Sequence, residues 1–306
     1  MHRPSRHLWR LGWTRALAIA AALGPTAAPS HAKTHAPPAD TRTGQAPAST
    51  DTGRIVATIT DPLLPEISGC AVTAKGIWMH NDSGNAAELF LVNLKTGRIK
   101  QRVAIAGATN IDWEDMAAES GNLYIGDIGD NSSKRDRISV YRVAEAALTK
   151  PAIELGLTYP DGPHNAEALF VHGGGLFIIT KTDDPTIGQA GVYRLAQADK
   201  LVSGLYPLEK VATITITGES FLFPNRITGA DYALSTHRLV LRTYENLYVM
   251  TVPAGQPFDS LWAQPPRKLE VLGLTQAEAV CVRLDGRHVL TTGERLPAPL
   301  IERALP

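Results

Sequence analysis

Only two of the 306 residues, Cys70 and Cys281, are cysteine, so thiolates cannot build a zinc centre here. The histidines do not cluster either. Signatures for a nucleophile or a bound phosphate are missing: there is no G-x-S-x-G, no H-E-x-x-H and no P-loop. Gly173-Gly174-Gly175 lies in a hairpin turn and precedes no helix, so it is not a phosphate loop. No Lys/Arg run or basic patch occurs, which argues against nucleic acid as a partner. Beyond the N-terminal region no stretch approaches 18 apolar residues, so the mature form is expected to be soluble, without a membrane span.

The N-terminal region reads as an export signal. Arg3, Arg6, Arg10 and Arg15 make a basic start, and Ala16 to Leu23 form an apolar run too short to span a bilayer. Ser30-His31-Ala32 fits a small-x-small cleavage site, giving a signal peptide over 1–32 and a periplasmic or extracellular protein. No cysteine follows that site, which argues against a lipid anchor, and no adjacent arginine pair marks a twin-Arg signal. Residues 33–52 are rich in Pro, Ala and Thr without apolar periodicity and read as a disordered linker. The globular part is then 53–306, and removal of the four signal arginines leaves 26 basic against 30 acidic residues, a net charge of −4.

Within 53–306 a hairpin recurs five times. Its openings are ISGCAV from Ile67, DWEDMA from Asp112, NAEALF from Asn165, ITGADY from Ile227 and AEAVCV from Ala277. Aligned on Gly69, Glu114, Glu167, Gly229 and Glu278, the spacings are 45, 53, 62 and 49 residues, in the range of a propeller repeat. Each opening leads into an apolar strand, a Gly/Ser/Asp/Asn turn (TAKG, ESGN, HGGG, LSTH, LDGR) and a second strand rich in β-branched and aromatic residues. A third strand follows in every repeat. A fourth follows in the first four repeats: RIKQRVAI from Arg98, AIELGLTY from Ala152, LEKVATIT from Leu208 and RKLEVLGL from Arg267. The last repeat lacks one, while RIVATIT from Arg54 is left over ahead of the first. The fold class is therefore all-β, a five-bladed β-propeller of twenty strands whose N-terminal strand closes the last blade. The alternative, six blades, needs one hidden around residues 180–228, where GESFLFPN reads as a loop.

First and second strands of a hairpin run antiparallel, so starts of the one lie beside ends of the other. This collects Ser68, Glu114, Asp115, Glu167, Thr228 and Glu278 at one face, beside His80, Asn81, Asp82, Asp127, Asp130, Asn131, Lys181, Asp183, Arg242, Glu294 and Thr292. We take Glu114, Glu167, Glu278, Lys181, Arg242 and Glu294 as the ligand-binding set at the axial mouth. Asp82, Asp127, Asp130, Asn131 and Asn81, from the loops HNDSGN and GDIGDN, are the metal candidates. Crowded carboxylates and amides without thiolates or clustered imidazoles favour Ca²⁺ or Mg²⁺ over zinc, although neither loop fits an EF-hand. Each choice has a structural counterpart. The Asp/Asn/Gly loops also fit side-chain-to-backbone turns, the three glutamates also fit as acceptors for backbone N–H groups of neighbouring blades, and Trp78, Trp113, Tyr124, Phe177 and Tyr244 fit core packing. His80 reads as a solvated loop residue. Cys70 and Cys281 fall on the same face of the first strands of the first and last repeats. Splaying of adjacent blades is expected to leave them as two buried thiols rather than a bridge.

The strings DWEDMA, LYIGDIGDN and R-x-x-V-Y-R-V, with NDSGN before LFLVNL-x-TG and TGADY before LVLRTY, resemble a group of uncharacterised secreted bacterial propeller proteins. The resemblance covers residues 60–306 and carries no catalytic residue with it. In architecture the chain is more distantly similar to gluconolactonase-type and phytase-like propellers, a resemblance that implies a cation at the axial mouth and hydrolysis of esters, lactones or phosphates. Three functions fit: an exported propeller binding a small polar ligand or divalent cation at its mouth, a cation-dependent hydrolase of esters, lactones or phosphoesters, and a protein-interaction scaffold.

Overall fold

The computed structural model describes residues 51–182, 188–217, 219 and 225–306. The expected signal peptide, most of the expected linker, Asp183 and most of GESFLFPN lie outside these residues. Asp51 and Thr52, at the expected linker's end, already join the fold: the Thr52 carbonyl accepts the Leu272 N–H at 2.9 Å.

Among the described residues β1 (Arg54–Ile59) comes first, followed by five antiparallel blades in sequence order. Blade one is β2 (Ile67–Thr73), β3 (Gly76–Asn81), β4 (Glu88–Val92) and β5 (Ile99–Ala104). Blade two is β6 (Trp113–Glu119), β7 (Asn122–Asp127), β8 (Ile138–Ala144) and β9 (Ile153–Thr158). Blade three is β10 (Ala166–His172), β11 (Gly175–Thr180), β12 (Gln189–Leu195) and, after an intervening β13 (Gly204–Pro207), β14 (Glu209–Thr215). Blade four is β15 (Ile227–Ala233), β16 (Arg238–Thr243), β17 (Leu247–Thr251) and β18 (Arg267–Leu269). Blade five is β19 (Ala277–Val282), β20 (His288–Gly293) and β21 (Ala298–Ala304), with β1 paired antiparallel to β21 as its fourth strand. The five-bladed propeller and its closure by the N-terminal strand stand. The count differs by one: β13 adds to the outer edge of blade two, parallel to β9, making that sheet five-stranded.

Strand parity explains why the blades form a ring. Alternate side chains of each sheet face opposite neighbours, so every blade is apolar on both faces. Trp78 and Leu91 of blade one pack with Trp113 and Met116 of blade two. Leu169 and Ile178 of blade three meet Tyr124 and Val140 of blade two, while Phe170 and Phe177 turn to Leu239 and Leu241 of blade four. Val240 joins Val280 and Val289 of blade five. Ala57, Ala279 and Leu290 close the circle against Ile77 and Met79. Each junction thus has its own core. Cys70 and Cys281 sit in the closing one as free, buried thiols with sulfurs 2.9 Å apart. β2 and β19 therefore approach much more closely than blade splay led us to expect.

Candidate functional site at the axial mouth

Every innermost strand breaks register once, just after its first residue. The shifts fall between Ile67 and Gly69, Trp113 and Asp115, Ala166 and Ala168, Ile227 and Gly229, and Ala277 and Val280. A bulge leaves one residue unpaired and re-aims its side chain. The residues it sets apart are Ser68, Glu114, Glu167, Thr228 and, in blade five, Glu278. The equivalence read from sequence is therefore corrected by one position in two blades, where Ser68 and Thr228, not Gly69 and Gly229, match the glutamates. These two glycines serve close packing. A Cβ on Gly69 would lie 2.3 Å from His80 Nε2, and one on Gly229 would lie 2.8 Å from the Glu278 carbonyl oxygen. The five bulge positions thus carry three carboxyls and two hydroxyls. Ser68 Oγ donates to the Glu114 carbonyl at 2.7 Å, and Thr228 Oγ1 to that of Ala277 at 2.9 Å.

On one side of the mouth, carboxylate oxygens of Asp82, Asp112 and Glu114 lie within 4.8 Å of one another. Gly129, from GDIGDN, makes the space: a Cβ there would stand 2.3 Å from Glu114 Oε1 and 2.4 Å from Asp112 Oδ2. Loop bonds hold the backbone of two of the three acids. The Asp112 N–H donates to Asp127 Oδ1 at 3.0 Å, and Asn110 Nδ2 donates to the Asp82 carbonyl at 2.8 Å. Burial raises the pKa of Asp82 and Asp112, and each lies in the field of further acids. Burial, with Glu167, Asp82 and Asp112, raises Glu114 well above the carboxylate range. An all-carboxylate set of this kind fits a hard divalent cation, with carbonyls and water completing its shell.

Across the mouth Lys181 is ion-paired with Glu167, its Nζ 5.3 Å from the centre of the Tyr244 ring. Burial pulls the Lys181 pKa down, but Glu167, Tyr244 and Glu278 outweigh it and hold the proton on. Burial, then Glu167, pushes Glu278 well up. Burial, then Asp82, Glu66 and Glu167, brings Glu294 to about 7. Glu294 also accepts a bond from Gln276 Nε2 at 2.6 Å. Several buried polar atoms here have no hydrogen-bond partner: Glu167 Oε2, Glu278 Oε2, Thr292 Oγ1 and all three nitrogens of the Arg242 guanidinium.

The remaining candidates are engaged elsewhere. Asn81 accepts the Glu66 N–H and donates to the Leu63 carbonyl. Asp127 is fully buried, accepts the N–H groups of Ile111 and Asp112, and pairs with Arg135 at 2.9 Å. Asp130 accepts the N–H groups of Lys134 and Arg135. Exposed Asn131 accepts from Asn165 Nδ2 at 3.2 Å. Asp115 lies deeper on the axis, where its carboxylate accepts N–H groups of Met116, of Leu169 in blade three and of Ala230 in blade four. Cross-blade acceptance, read for the glutamates as a structural option, thus falls to Asp115, and to Asp231, which accepts the Val282 N–H of blade five. His80 is buried at the end of β3, edge-on to Trp113, and burial lowers it to about 4; it is not a solvated loop residue. Trp78, Trp113, Tyr124 and Phe177 are core, while Tyr244 borders the mouth. Asp112 went unselected in the sequence, although its i, i+2 spacing to Glu114 in D-W-E places both on one side of an extended chain.

At the far end of the innermost strands, Val72, Ala118, Tyr232, Leu234 and Leu284 line a cavity of about 350 Å³.

No family model matches the chain, and no curated protein matches it. Among solved structures it is similar to the glutaminyl cyclase of Myxococcus xanthus, with TM-score 0.51 and 10% identity over 83% of this chain and 97% of that one. It also aligns with a gluconolactonase from Xanthomonas campestris (TM-score 0.46, 13% identity, 80% of this chain and 75% of that one). A luciferin-regenerating enzyme aligns with TM-score 0.46 and 10% identity, over 81% of this chain and 95% of that one. The cyclase shows a shared architecture and nothing finer; the other two are too distant to carry an argument.

Proposed function

We propose that the axial mouth of an exported propeller binds a divalent cation, Ca²⁺ by its oxygen chemistry, through Asp82, Asp112 and Glu114, and holds a small polar ligand between that position and the Lys181–Arg242 side. The carrying observation is the convergence of three carboxyl groups within 4.8 Å over a glycine that admits no side chain. Melting temperature in EDTA and in Ca²⁺ tests it. A hundredfold excess over Kd stabilises by about 2.7 kcal/mol through mass action. Asp112→Asn and Glu114→Gln should abolish the gain. No shift in the native protein, with no metal by elemental analysis, overturns the reading.

A second reading, a cation-dependent hydrolase of lactones, esters or phosphoesters, is favoured by one further observation: Glu278 and Arg242, buried together, both keep unpartnered atoms. A bound cation supplies Lewis acidity toward a substrate oxygen or water. Glu278, its pKa raised by burial and then by Glu167, would give a proton to a leaving group. Lys181 and Arg242 would steady negative charge as it develops. A solved structure of similar architecture is named a cyclase, so the architecture accommodates catalysis. Turnover of aryl esters, lactones or phosphate esters that persists unchanged in Glu278→Gln and Glu167→Gln excludes this site.

A further inference from the structure

We infer that the ligand of the mouth carries a carboxylate or phosphate group, and that Arg242 is the residue that recognises it. The inference rests on the mouth being a ligand site, but not on a cation being bound there. Arg242 is the penultimate residue of β16, paired with Gly229. Leu239 and Leu241 of that strand pack toward blade three, and Val240 packs toward blade five. By alternation Arg242 turns with Val240, toward the blade that carries Glu278. Its side chain is 0% exposed, yet Nε, Nη1 and Nη2 all lack a hydrogen-bond partner.

That combination is costly. A buried charge without a counter-ion pays desolvation with no return, and buried guanidinium groups are ordinarily satisfied. Burial lowers Arg242 only to about 10, so it stays charged at neutral pH. Glu219 and Glu278 both act on it electrostatically, but neither closes a hydrogen bond with it: Glu219 Oε2 and Glu278 Oε2 are themselves buried and unpartnered. Glu219 is directed elsewhere, its Oε1 taking bonds from Asn246 at 3.0 Å and Tyr248 at 2.5 Å. Lys181, also at the mouth, has its charge committed to Glu167. Arg242 is therefore a planar donor fork without an acceptor, a geometry that matches the two oxygens of a carboxylate or phosphate. Beside it Glu278, whose charged form is disfavoured by burial, repels such a group less than an exposed carboxylate would.

The test is the melting temperature of the full chain titrated with inorganic phosphate and, separately, with gluconate, in EDTA and again in Ca²⁺. We expect a saturable upward shift from one anion; which one shifts names the source. Arg242→Met should melt at or above the native temperature without anion, because an unpartnered buried charge has gone, and should bind that anion at least tenfold more weakly. Arg242→Lys keeps charge but not the fork and should fall between. Three results overturn the inference: no shift from either anion in the native protein, an undiminished shift in Arg242→Met or Arg242→Lys, or an Arg242→Met protein that misfolds or melts several degrees lower, which makes the guanidinium structural. Loss of the Ca²⁺ response with the anion response intact removes only the cation reading, and the converse removes only this one.

Discussion

The mouth and the waist of the propeller axis are built from the same residue types to opposite ends. At the waist Asp115 is fully buried and Asp231 half-buried, and their oxygens are taken up by amides of two or three strands. At the mouth Glu114, the immediate chain neighbour of Asp115, has a single hydroxyl donor, Ser68, while Glu167, Glu278 and Arg242 keep free atoms. A buried charge that is saturated by backbone is architecture. One that is left with open valence is either a defect or a receptor. Burial alone does not separate the two; the inventory of partners does.

The harshest way to break the comparison is Asp115→Ala. It strands the buried N–H groups of Met116, Leu169 and Ala230 at once, and at about 1–3 kcal/mol for each unsatisfied group the loss should be several kcal/mol. Urea unfolding measures it, and a midpoint within error of the native protein would mean the waist is not structural. Next is pH. Asp82, Asp112, Glu114 and Glu278 are raised in the fold, and Glu294 is raised from 4.5 to about 7. The stability they contribute is present below the unfolded carboxylate range and is lost as pH rises through the folded values. Metal-free protein should weaken between pH 5 and about 7 on this account. His80, lowered from 6.5 to about 4, acts the other way over that range, so the slope difference between the native protein and Glu294→Gln isolates the sign. Ca²⁺ stabilisation should instead grow with pH, since cation binding requires deprotonated ligands. Smaller is Glu278→Gln, which replaces a carboxyl whose charged form is disfavoured by burial and by Glu167; metal-free stability should stay level or rise by about 1 kcal/mol, opposite in sign to Asp115→Ala. Smallest is Asn131→Ala at an exposed loop position, which we expect to stay within about 0.5 kcal/mol by thermal melting.

The ring was legible in sequence because each blade is a run of local hairpins with turn residues at regular intervals. β13 was not: four residues pairing parallel with a strand of another blade leave no periodic signal. The face shared by Glu114, Glu167, Glu278, Asp82, Lys181 and Arg242 followed from antiparallel hairpins alone. What W-E-D could not say is that Glu114 goes up and Asp115 goes inward, because the bulge decides that and a bulge is a property of two paired strands. The same blindness put Gly69 and Gly229 in register with the glutamates, and it left Asp127 and Asp130 indistinguishable from Asp82, although their partners Arg135, Lys134 and Asp112 lie nearby in the chain.

The pairing of β1 with β21 joins residues 248 apart, as between Arg54 and Glu302. Four blades can condense from neighbouring hairpins; the fifth waits for the two ends of the domain to meet, a contact whose loop-closure entropy makes it slow. Until blade five docks on blade one, the ring of innermost strands stays open. The mouth is therefore a late product of folding, and a partly folded chain would hold four finished sheets but no place for a ligand.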